Sequence, residues 1–461
     1  MGGGVTERTE VWQSLALGYG WLGRGPMKPI TSCLPRPPLL LLLLTFGLVA
    51  GCGESADPTL EPVVRDSAGA VIHEFPAGVL QRPPSIRLAD APSVRIGVVE
   101  GAPEYQWTRP AAAARLSDGG FTVLEQVPAE VRVFDSSGQF LHRVGKGGDG
   151  PGELRSPVEL AVLAGDTILV WDRGAQRLSW FSMEGTLERE RILREPGGIR
   201  TIRRVALSPS GAVLVLGATT TEEDLGNQGR VRETWQVVPV RPRGHVGEPI
   251  GATRGTERAI QVQGSGTGEV VSVSVQGRWW WGEGFAWASD RGVWTADQLS
   301  FEARHFDPER GLDRIVRVQA EDRPFTTALI DSLHRVELDR VADPEIRELW
   351  RTDFEEREYP QGVPPVASIF GDAVGRVWIG LAEPPPERLP SGELTAVRRW
   401  AVFEEDATAG AGATMSLTPL GVLVLPPRSH PLWADGEGVL LVRNDTQLDV
   451  AYIEWYPYVD G

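Results

Sequence analysis

Residues 115–125, which read RLSDGGFTVLE, join a small polar turn to a short run of apolar residues. Glycine suits the tight turn, and the β-branched and aromatic residues that follow it favour a strand. The phrase recurs along the chain, and each copy predicts a turn followed by one inner strand. The other copies are VLAGDTILVWD from Val162, ALSPSGAVLVLG from Ala206, AWASDRGVWTAD from Ala286, IFGDAVGRVWIGL from Ile369 and SLTPLGVLVLPP from Ser416.

The spacing of these six phrases predicts the architecture. Successive turns are 46, 45, 81, 83 and 46 residues apart. A repeat in the mid-forties is typical of one four-stranded propeller blade. We therefore predict an all-β fold, a six-bladed β-propeller of four-stranded antiparallel blades over residues 63–461, with seven or eight blades as the alternative. The steps are measured between Gly120, Asp166, Gly211, Gly292, Gly375 and Gly421.

The two long steps predict insertions. We interpret the first as a third blade with long outer strands, followed by a hairpin that approaches the fourth blade. The second holds a helical insertion at about 326–356, in which Leu329 and Leu333 begin one amphipathic helix and Asp343 caps a second. We expect these helices to lie on the rim with their apolar face down, with partner docking as the alternative.

The last blade has too few strands after Gly421 to be complete by itself. Residues 63–75 are expected to supply its missing edge, because a blade shared by both ends of the chain closes the ring.

The first 51 residues resemble a targeting segment. Residues 1–26 form an upstream extension, and Met27 starts a better signal peptide, with Lys28, an apolar core at 39–49 and the string Leu-Val-Ala-Gly-Cys ending at Cys52. That string resembles the bacterial lipobox, which implies lipidation of Cys52, a membrane anchor and residues 52–62 as a tether. The implied location is the bacterial cell envelope, on the outer membrane facing the periplasm.

Composition excludes several classes of function. The chain carries a formal charge of −16, and removal of residues 1–51, which hold four basic and two acidic residues, brings it to about −18. Nucleic acid is therefore not an expected partner. The chain has two Cys, and Cys33 lies within the leader, so no disulfide is expected in the mature chain. We expect a monomer.

Residues 145–157, GKGGDGPGELRSP, are the sharpest local motif. Glycine and proline suit a tight crossover from the outer strand of one blade to the inner strand of the next. A phosphate-binding loop is the weaker alternative, because Glu153 and Leu154 lead into a strand where a P-loop would have Lys-Ser/Thr and a helix.

With the strand ending at Phe181, this crossover resembles the NHL-type repeat. The order of Arg-Ile-Gly near Arg95, the crossover, Trp-Ile-Gly near Trp378 and Trp-Ala-Val-Phe near Trp400 resembles bacterial six-bladed β-propeller lipoproteins (NHL/TolB-like) of unestablished function. The resemblance spans roughly 63–457 and weakens after Pro239. It implies a propeller held at the envelope.

Candidate chemistry is sparse. No residue is predicted to be catalytic, cofactor-binding or metal-binding, and no cofactor is expected. The six His lack metal-ligand spacing, and His142 and His305 are expected near outer blade edges. An Asp beside a Gly is typically a turn residue. The acidic residues expected to hold turns in this way, with a shared metal as the alternative, are Asp118, Asp166, Asp290 and Asp372.

Aromatic residues offer one further candidate site. Residues 279–281 are three consecutive Trp, of which at most two share a strand face, so packing between blades is favoured over a stacking platform. Trp294, Trp378 and Trp400 are expected in the core.

Two functional hypotheses follow. The first is a noncatalytic binding or scaffolding module for a protein, peptide or glycan. The second is a metal-dependent lactonase-like or lyase-type enzyme with its site at the mouth of the central channel.

Overall fold

The computed structural model describes residues 60–461 with internal gaps. Cys52, most of the tether, Asp290 and the three Trp at 279–281 lie outside the described residues, so the structure does not test the predictions made for them. The residues that are not described are 1–59, 221–228, 242–244, 265–269, 277–281, 290, 321, 340, 384–396, 406–415, 446–447, 449 and 461.

Four strands precede the first blade, and six sheets then follow one another around a ring. The early strands are β1 (Val63–Ser67), β2 (Ala70–Phe75), β3 (Ile86–Leu88) and β4 (Val94–Ile96). Blade one is β5 (Pro110–Arg115), β6 (Phe121–Gln126), β7 (Ala129–Phe134) and β8 (Phe140–Val144). The crossover strands are β9 (Lys146–Gly147) and β10 (Glu153–Leu154). Blade two is β11 (Pro157–Val162), β12 (Ile168–Asp172), β13 (Arg177–Phe181) and β14 (Leu187–Ile192).

The third and fourth blades follow, and two helices then separate the fourth blade from the fifth. Blade three is β15 (Thr201–Leu207), β16 (Val213–Ala218), β17 (Gly229–Val240), β18 (Gly251–Gly264) and β19 (Val270–Gln276). Blade four is β20 (Gly284–Ala288), β21 (Val293–Asp297), β22 (Glu302–Asp307) and β23 (Gly311–Val318), and the helices are α1 (Thr327–Leu338) and α2 (Pro344–Glu356).

The last two blades bring the ring back to blade one. Blade five is β24 (Val366–Gly371), β25 (Val377–Leu381), β26 (Arg399–Glu405) and β27 (Leu417–Val424). Blade six is β28 (Ser429–Ala434), β29 (Gly438–Asp445) and β30 (Val450–Asp460), together with β3 and β4. The predicted six-bladed propeller is confirmed.

Within each blade the first strand is innermost, and antiparallel pairing makes the strands alternate in direction. Outer strands therefore cross to the next inner strand on one face, which we call the crossover face. The polar turns between first and second strands lie on the opposite face, which we call the turn face. In the first five phrases, the strand after the polar turn is the second strand of its blade and pairs with the innermost one.

The sixth phrase was placed wrongly. Residues 417–424 form β27, the outermost strand of blade five, because they pair with β26. The true sixth turn is Asp435–Gly438, where the backbone amides of Glu437 and Gly438 donate to the Asp435 carboxylate at 2.7 and 3.0 Å. Its sequence, ADGEGVLLV from Ala434, matches the other copies better than the phrase at 416.

The ring closes through the N-terminal part of the chain, but through a different segment from the one predicted. Strands β3 and β4 pair antiparallel with β30 and complete blade six. The hairpin β1–β2 pairs instead with β23, parallel to it, and extends blade four to six strands. The prediction that residues 63–75 complete the last blade is therefore wrong, although sharing between the two chain ends is observed.

The insertions lie on the crossover face. Strands β17 and β18 pair with each other from Val237 opposite Gly251 to Gly229 opposite Ile260. This pairing continues past the end of β16, so the two strands project from the crossover face. Strand β19 pairs only with the raised part of β18, as a fifth strand of blade three and not as the predicted approach to blade four. The helical insertion joins β23 to β24 on the same face and matches its predicted bounds.

The helical insertion packs only partly as expected. The Asp343 side chain caps α2 by accepting from the amides of Glu345 and Ile346, as predicted. Phe354 is buried and stacks on the His334 ring, with the centroids 4.2 Å apart. Trp350 is 39% exposed, so the apolar face of α2 does not lie fully against the body.

Each of the six blade interfaces in the described residues is filled by its own apolar cluster. The predicted core residues Trp294, Trp378 and Trp400 are at most 2% exposed. Such burial is the main stabilising contribution, since each large apolar side chain removed from water contributes about 2 kcal/mol.

An ion-pair network secures the closing strands. The carboxylate of Glu454 in β30, which is fully buried, accepts from Arg95 Nε of β4 at 2.7 Å and from Arg443 Nε of β29 at 2.9 Å. The Tyr456 hydroxyl also donates to it at 3.1 Å, and burial beside this carboxylate raises the pKa of Tyr456 to about 12.

We expect Glu454→Ala to lower the free energy of unfolding by about 3 kcal/mol, because it leaves two arginines without their buried partner. Urea unfolding followed by Trp fluorescence measures the change. The matched control is Glu74→Ala, which removes an exposed pair with Arg65 at 3.8 Å and should change stability by less than about 1 kcal/mol. Equal effects of the two substitutions would contradict the role given to Glu454.

Candidate functional site

The inner strands carry an irregularity at one level of the ring. In the described strands, the pairing of first and second strands slips by one residue near the crossover face in blades one, two, three and five, and nearer the turn face in blade six. Such a β-bulge leaves one residue unpaired and re-aims the side chains beside it. The strand register beyond the bulges places one residue of each blade at the same level. Those residues are Ala112, Glu159, Arg204, Phe285, Ser368 and His430.

This level differs in chemistry from the levels below it. Val158 packs in the cluster between blades two and three, and Leu160 packs in the cluster between blades one and two. Glu159 lies between them and interacts electrostatically with Arg204 of the next inner strand. The bulges beside Glu159, Arg204 and Ser368 therefore take these side chains out of the regular alternation between blade interfaces. We call these three residues, together with His430 at the same level, the mouth residues.

The surroundings of the mouth residues favour neutral groups. Burial raises the pKa of Glu159 to about 8, although Arg204 and the Leu160 amide act in the opposite direction. Burial lowers the pKa of His430 to about 4. At neutral pH the Glu159 carboxyl is thus mostly protonated and His430 is uncharged.

The raised part of blade three stands beside this mouth. Glu283, just before β20, accepts a hydrogen bond from the Thr256 hydroxyl at 2.9 Å. Burial raises the pKa of Glu283, opposed by that hydrogen bond and by Arg204, Arg258 and Arg232. The mouth is therefore continuous with a mixed wall of arginines and carboxyl groups on β17 and β18.

Of the acidic residues predicted at the polar turns, Asp118 and Asp372 hold the turn backbone as expected. Asp118 accepts from the Gly120 amide at 2.8 Å, and Asp372 accepts from the Arg376 amide at 2.7 Å. Asp166 instead joins two blades, since it accepts from the Ser117 amide at 3.0 Å. Burial raises the pKa of Asp372 to about 7. These groups serve the turn face.

In the crossover loop at 145–157, the side chain of Glu153 folds back onto the loop. The Gly150 amide donates to the Glu153 carboxylate at 2.9 Å, and Lys146 Nζ lies 3.1 Å from the same carboxylate. These contacts lower the pKa of Glu153. Because a carboxylate already takes the loop amide, the contacts support the structural interpretation over phosphate binding, and Gly145 and Gly152 have positive φ of 68° and 72° as the tight crossover requires.

A second polar group lies at the turn face of blade four, and sequence reasoning missed it. Ser289 Oγ is 3.0 Å from His305 Nε2, and His305 Nδ1 is 2.6 Å from Asp313 Oδ1. The order Ser-His-Asp is that of a nucleophile relay. Ser289 is, however, only 2% exposed, and the Arg291 amide also donates to its hydroxyl at 3.4 Å. We assign the group to holding the turn.

The predicted positions of the histidines are met only in part. His142 lies on an outermost strand, β8, and contacts the Met183 carbonyl, as expected. His305 is wholly buried on the third strand of blade four and is not near an outer edge. Within the described residues, no three His, Cys, Asp or Glu side chains are grouped closely enough to hold a metal ion.

Comparison with known proteins finds only solved structures of low similarity. No protein-family model matches the chain, and no curated protein matches its sequence. Among solved structures, a DUF4221 family member from Bacteroides vulgatus is 11% identical with a TM-score of 0.40, and the match covers 82% of this chain and 100% of that one. A Bacteroides fragilis protein classed as exported is 8% identical with a TM-score of 0.39, covering 84% and 99%.

Virginiamycin B lyase from Staphylococcus aureus is 8% identical with a TM-score of 0.34, covering 81% of this chain and 100% of that one. Similarities this low do not decide between a binding protein and an enzyme. No helix in the described part of the chain has the length and apolar character needed to cross a membrane.

We expect Glu159→Gln to gain stability relative to the wild type as the pH rises from 5 to 8. The folded protein holds Glu159 protonated up to about pH 8, whereas the unfolded chain ionises it near its ordinary pKa of 4.5, so the wild type loses stability across this window. The loss is at most about 1.4 kcal/mol for each pH unit. Urea unfolding at several pH values measures it.

The exposed Glu188→Gln on β14 is the matched control and should run parallel to the wild type. If the stability of Glu159→Gln varied with pH in parallel with that of the wild type, the raised pKa assigned to Glu159 would be overturned.

Proposed function

We propose that this protein is a noncatalytic binding module of the bacterial envelope, and that it binds an uncharged polar ligand, a glycan or the backbone of a peptide, at the crossover-face mouth. The observation that carries the proposal is one level of the inner strands, where bulges take Glu159, Arg204 and Ser368 out of the blade interfaces and where blade six contributes His430. Buried polar groups that are not fully hydrogen-bonded lower the stability of the fold. Groups with shifted pKa values are concentrated at functional sites.

The chemistry of the mouth supports a neutral ligand. A protonated Glu159 both donates and accepts, a neutral His430 does the same, and Ser368 adds a hydroxyl. Arg204 supplies a planar set of donors that suits the oxygens of a sugar or an amide. The raised strands β17 and β18 give the ligand a wall along one side of the mouth.

An enzyme of the lactonase-like or lyase type is the second candidate. The observation that favours it is that Glu159 and His430 occupy one level and have pKa values displaced to about 8 and about 4. A pair displaced in this way provides a general acid and a general base at neutral pH. The binding proposal is preferred because the described mouth residues provide donors and acceptors, while the described part of the chain groups no three His, Cys, Asp or Glu side chains closely enough for the metal ion of a lactonase-like site.

The envelope location rests on the leader. Lipidation of Cys52 would anchor the propeller through the tether 52–62 to a membrane, for which the outer membrane facing the periplasm is proposed. We propose that it acts there as a monomer, with the mouth directed to a soluble protein, peptide or glycan partner.

The binding proposal is tested with an array of neutral oligosaccharides and short capped peptides, probed with the propeller labelled with a fluorophore. We expect the wild type to retain a subset of the array. Arg204→Ala and Glu159→Ala should each weaken that binding by about tenfold, which corresponds to the loss of one charge-assisted or buried hydrogen bond. Arg191→Ala, on the exposed outer strand β14, is the matched control and should bind as the wild type does.

Retention that is unchanged in both mouth variants would refute the mouth as the site. A rise in melting temperature with calcium or zinc, lost in Glu159→Ala and His430→Ala, would replace the binding proposal with the enzyme candidate.

The anchor has its own test. We expect the full-length chain expressed in a bacterial host to sediment with membranes, and mass spectrometry to find diacylglyceryl-modified Cys52 at its N-terminus. Cys52→Ala should release the protein to the soluble periplasmic fraction, because a lipid anchor contributes most of the membrane affinity. A wild-type protein recovered unmodified and soluble would contradict lipidation.

A further inference from the structure

A separate cavity lies on the crossover face between blades four and five, away from the central axis. Its volume is about 170 Å³. The stem of the helical insertion, the loop after β25 and the turn after β2 enclose it, through Arg323, Glu383 and Leu80 respectively. It is thus built from segments that are far apart in sequence, which also include Phe301 and Arg399, and no mouth residue lines it.

Two guanidinium groups face this cavity. Arg323 Nη1 donates to the Ala382 carbonyl at 2.7 Å, and Arg323 Nη2 donates to the Pro364 carbonyl at 3.3 Å. Arg399 Nη2 donates to the Leu80 carbonyl at 3.4 Å. Backbone carbonyls therefore hold both side chains in place with only part of their donor capacity, since each guanidinium has five N–H groups.

The charges around the cavity do not balance. Glu383 is the one carboxylate among the lining residues, and it lies 3.6 Å from Arg399 with its side chain 46% exposed. Burial is the main cause that lowers the pKa of Arg323, and the charge of Arg399 adds to it, against the opposite effect of Glu383. Two cations and one partly solvated anion leave an excess positive charge at the cavity, and a bound anion would offset it.

Most of the remaining lining is apolar, with Gln81 as its one polar side chain. Phe301 and Leu381 are only 6% and 8% exposed, and Leu80, Ala77 and Pro365 also line the cavity. The volume equals that of about six water molecules, at roughly 30 Å³ each. A ligand that fills it must therefore be small and must combine an anionic head with an apolar part.

We propose that this cavity binds a small organic carboxylate, with the acid group between Arg323 and Arg399 and the apolar part against Phe301 and Leu381. Arginine pairs with carboxylate in a planar, two-bonded geometry, which makes the two guanidinium groups a suitable receptor. The acid is either a free metabolite or the C-terminal carboxylate of a peptide. The site is independent of the mouth, so it stands or falls separately from the proposed function.

If Arg323 were only a strut between the insertion stem and blade five, its loss would lower stability without any effect of added acid. The test therefore measures ligand response in a variant that keeps Arg323. That variant is Arg399→Gln. It should fold, because the Arg399 side chain is 44% exposed in the wild type. Arg398→Gln, its exposed neighbour, is the matched control.

The probes are sodium benzoate and sodium hexanoate, each compared with its neutral amide, and a capped dipeptide ending in Phe with a free or an amidated C-terminus. Calorimetric titration of the wild type should show that the acids bind at least about tenfold more tightly than the amides. Arg399→Gln should lose most of that difference, whereas Arg398→Gln and Glu159→Ala should keep it.

Binding of the free acids would identify a metabolite site, and binding of the free-carboxylate peptide alone would identify a peptide C-terminus; either supports the proposal. Equal binding of acid and amide, no binding of any probe, or an unchanged Arg399→Gln would overturn it. A weaker response of Glu159→Ala to benzoate would also contradict it, because the two sites would then be one.

Discussion

Every blade of this propeller depends on its neighbours, because the apolar faces of a single four-stranded sheet have nothing else to cover them. Six clusters of buried side chains fill the six interfaces, and the ring is stable only when all six exist. The interface between blades six and one includes Ile96 beside Phe121 and Trp455, so it forms only when β4 has paired with β30. Ring closure is thus the constraint from which the other features follow.

Closure also explains why polar chemistry is confined to a few places. Side chains on regular inner strands alternate between the two neighbouring interfaces, and both interfaces demand apolar residues. A bulge is one way to turn a side chain out of this alternation without breaking the blade, and Glu159 and Arg204 both lie next to one. The insertions follow the same logic, since the raised strands of blade three and the two helices lengthen connections without entering an interface.

Much of the fold followed from the sequence because turn and strand chemistry repeat. The period, the helical insertion and the Asp343 cap were all readable from local pattern. Two assignments failed for a shared reason. The phrase at 416 and the segment 63–75 have the right local character, but their partners are set by contacts across the ring. The mouth was invisible because a bulge in β11 or β15 leaves no period to read, and Glu159 in VELAV resembles an ordinary solvent-facing strand residue. Likewise, Arg323 and Arg399 are 76 positions apart, and nothing in either stretch signals a shared cavity.

The clasp between β4 and β30 has a consequence for how the molecule is made. Arg95 and Glu454 are separated by 359 residues, so the N-terminal strands leave the ribosome long before their partner exists. Contacts of such long range are slow to form, and an unpaired strand edge is prone to wrong pairing meanwhile. Strand β2 waits likewise for β23, but β23 ends at Val318, so blade six is the one completed only near the end of synthesis. The export proposed from the leader would benefit from that delay, since translocation requires a chain to remain unfolded until its last strand is available.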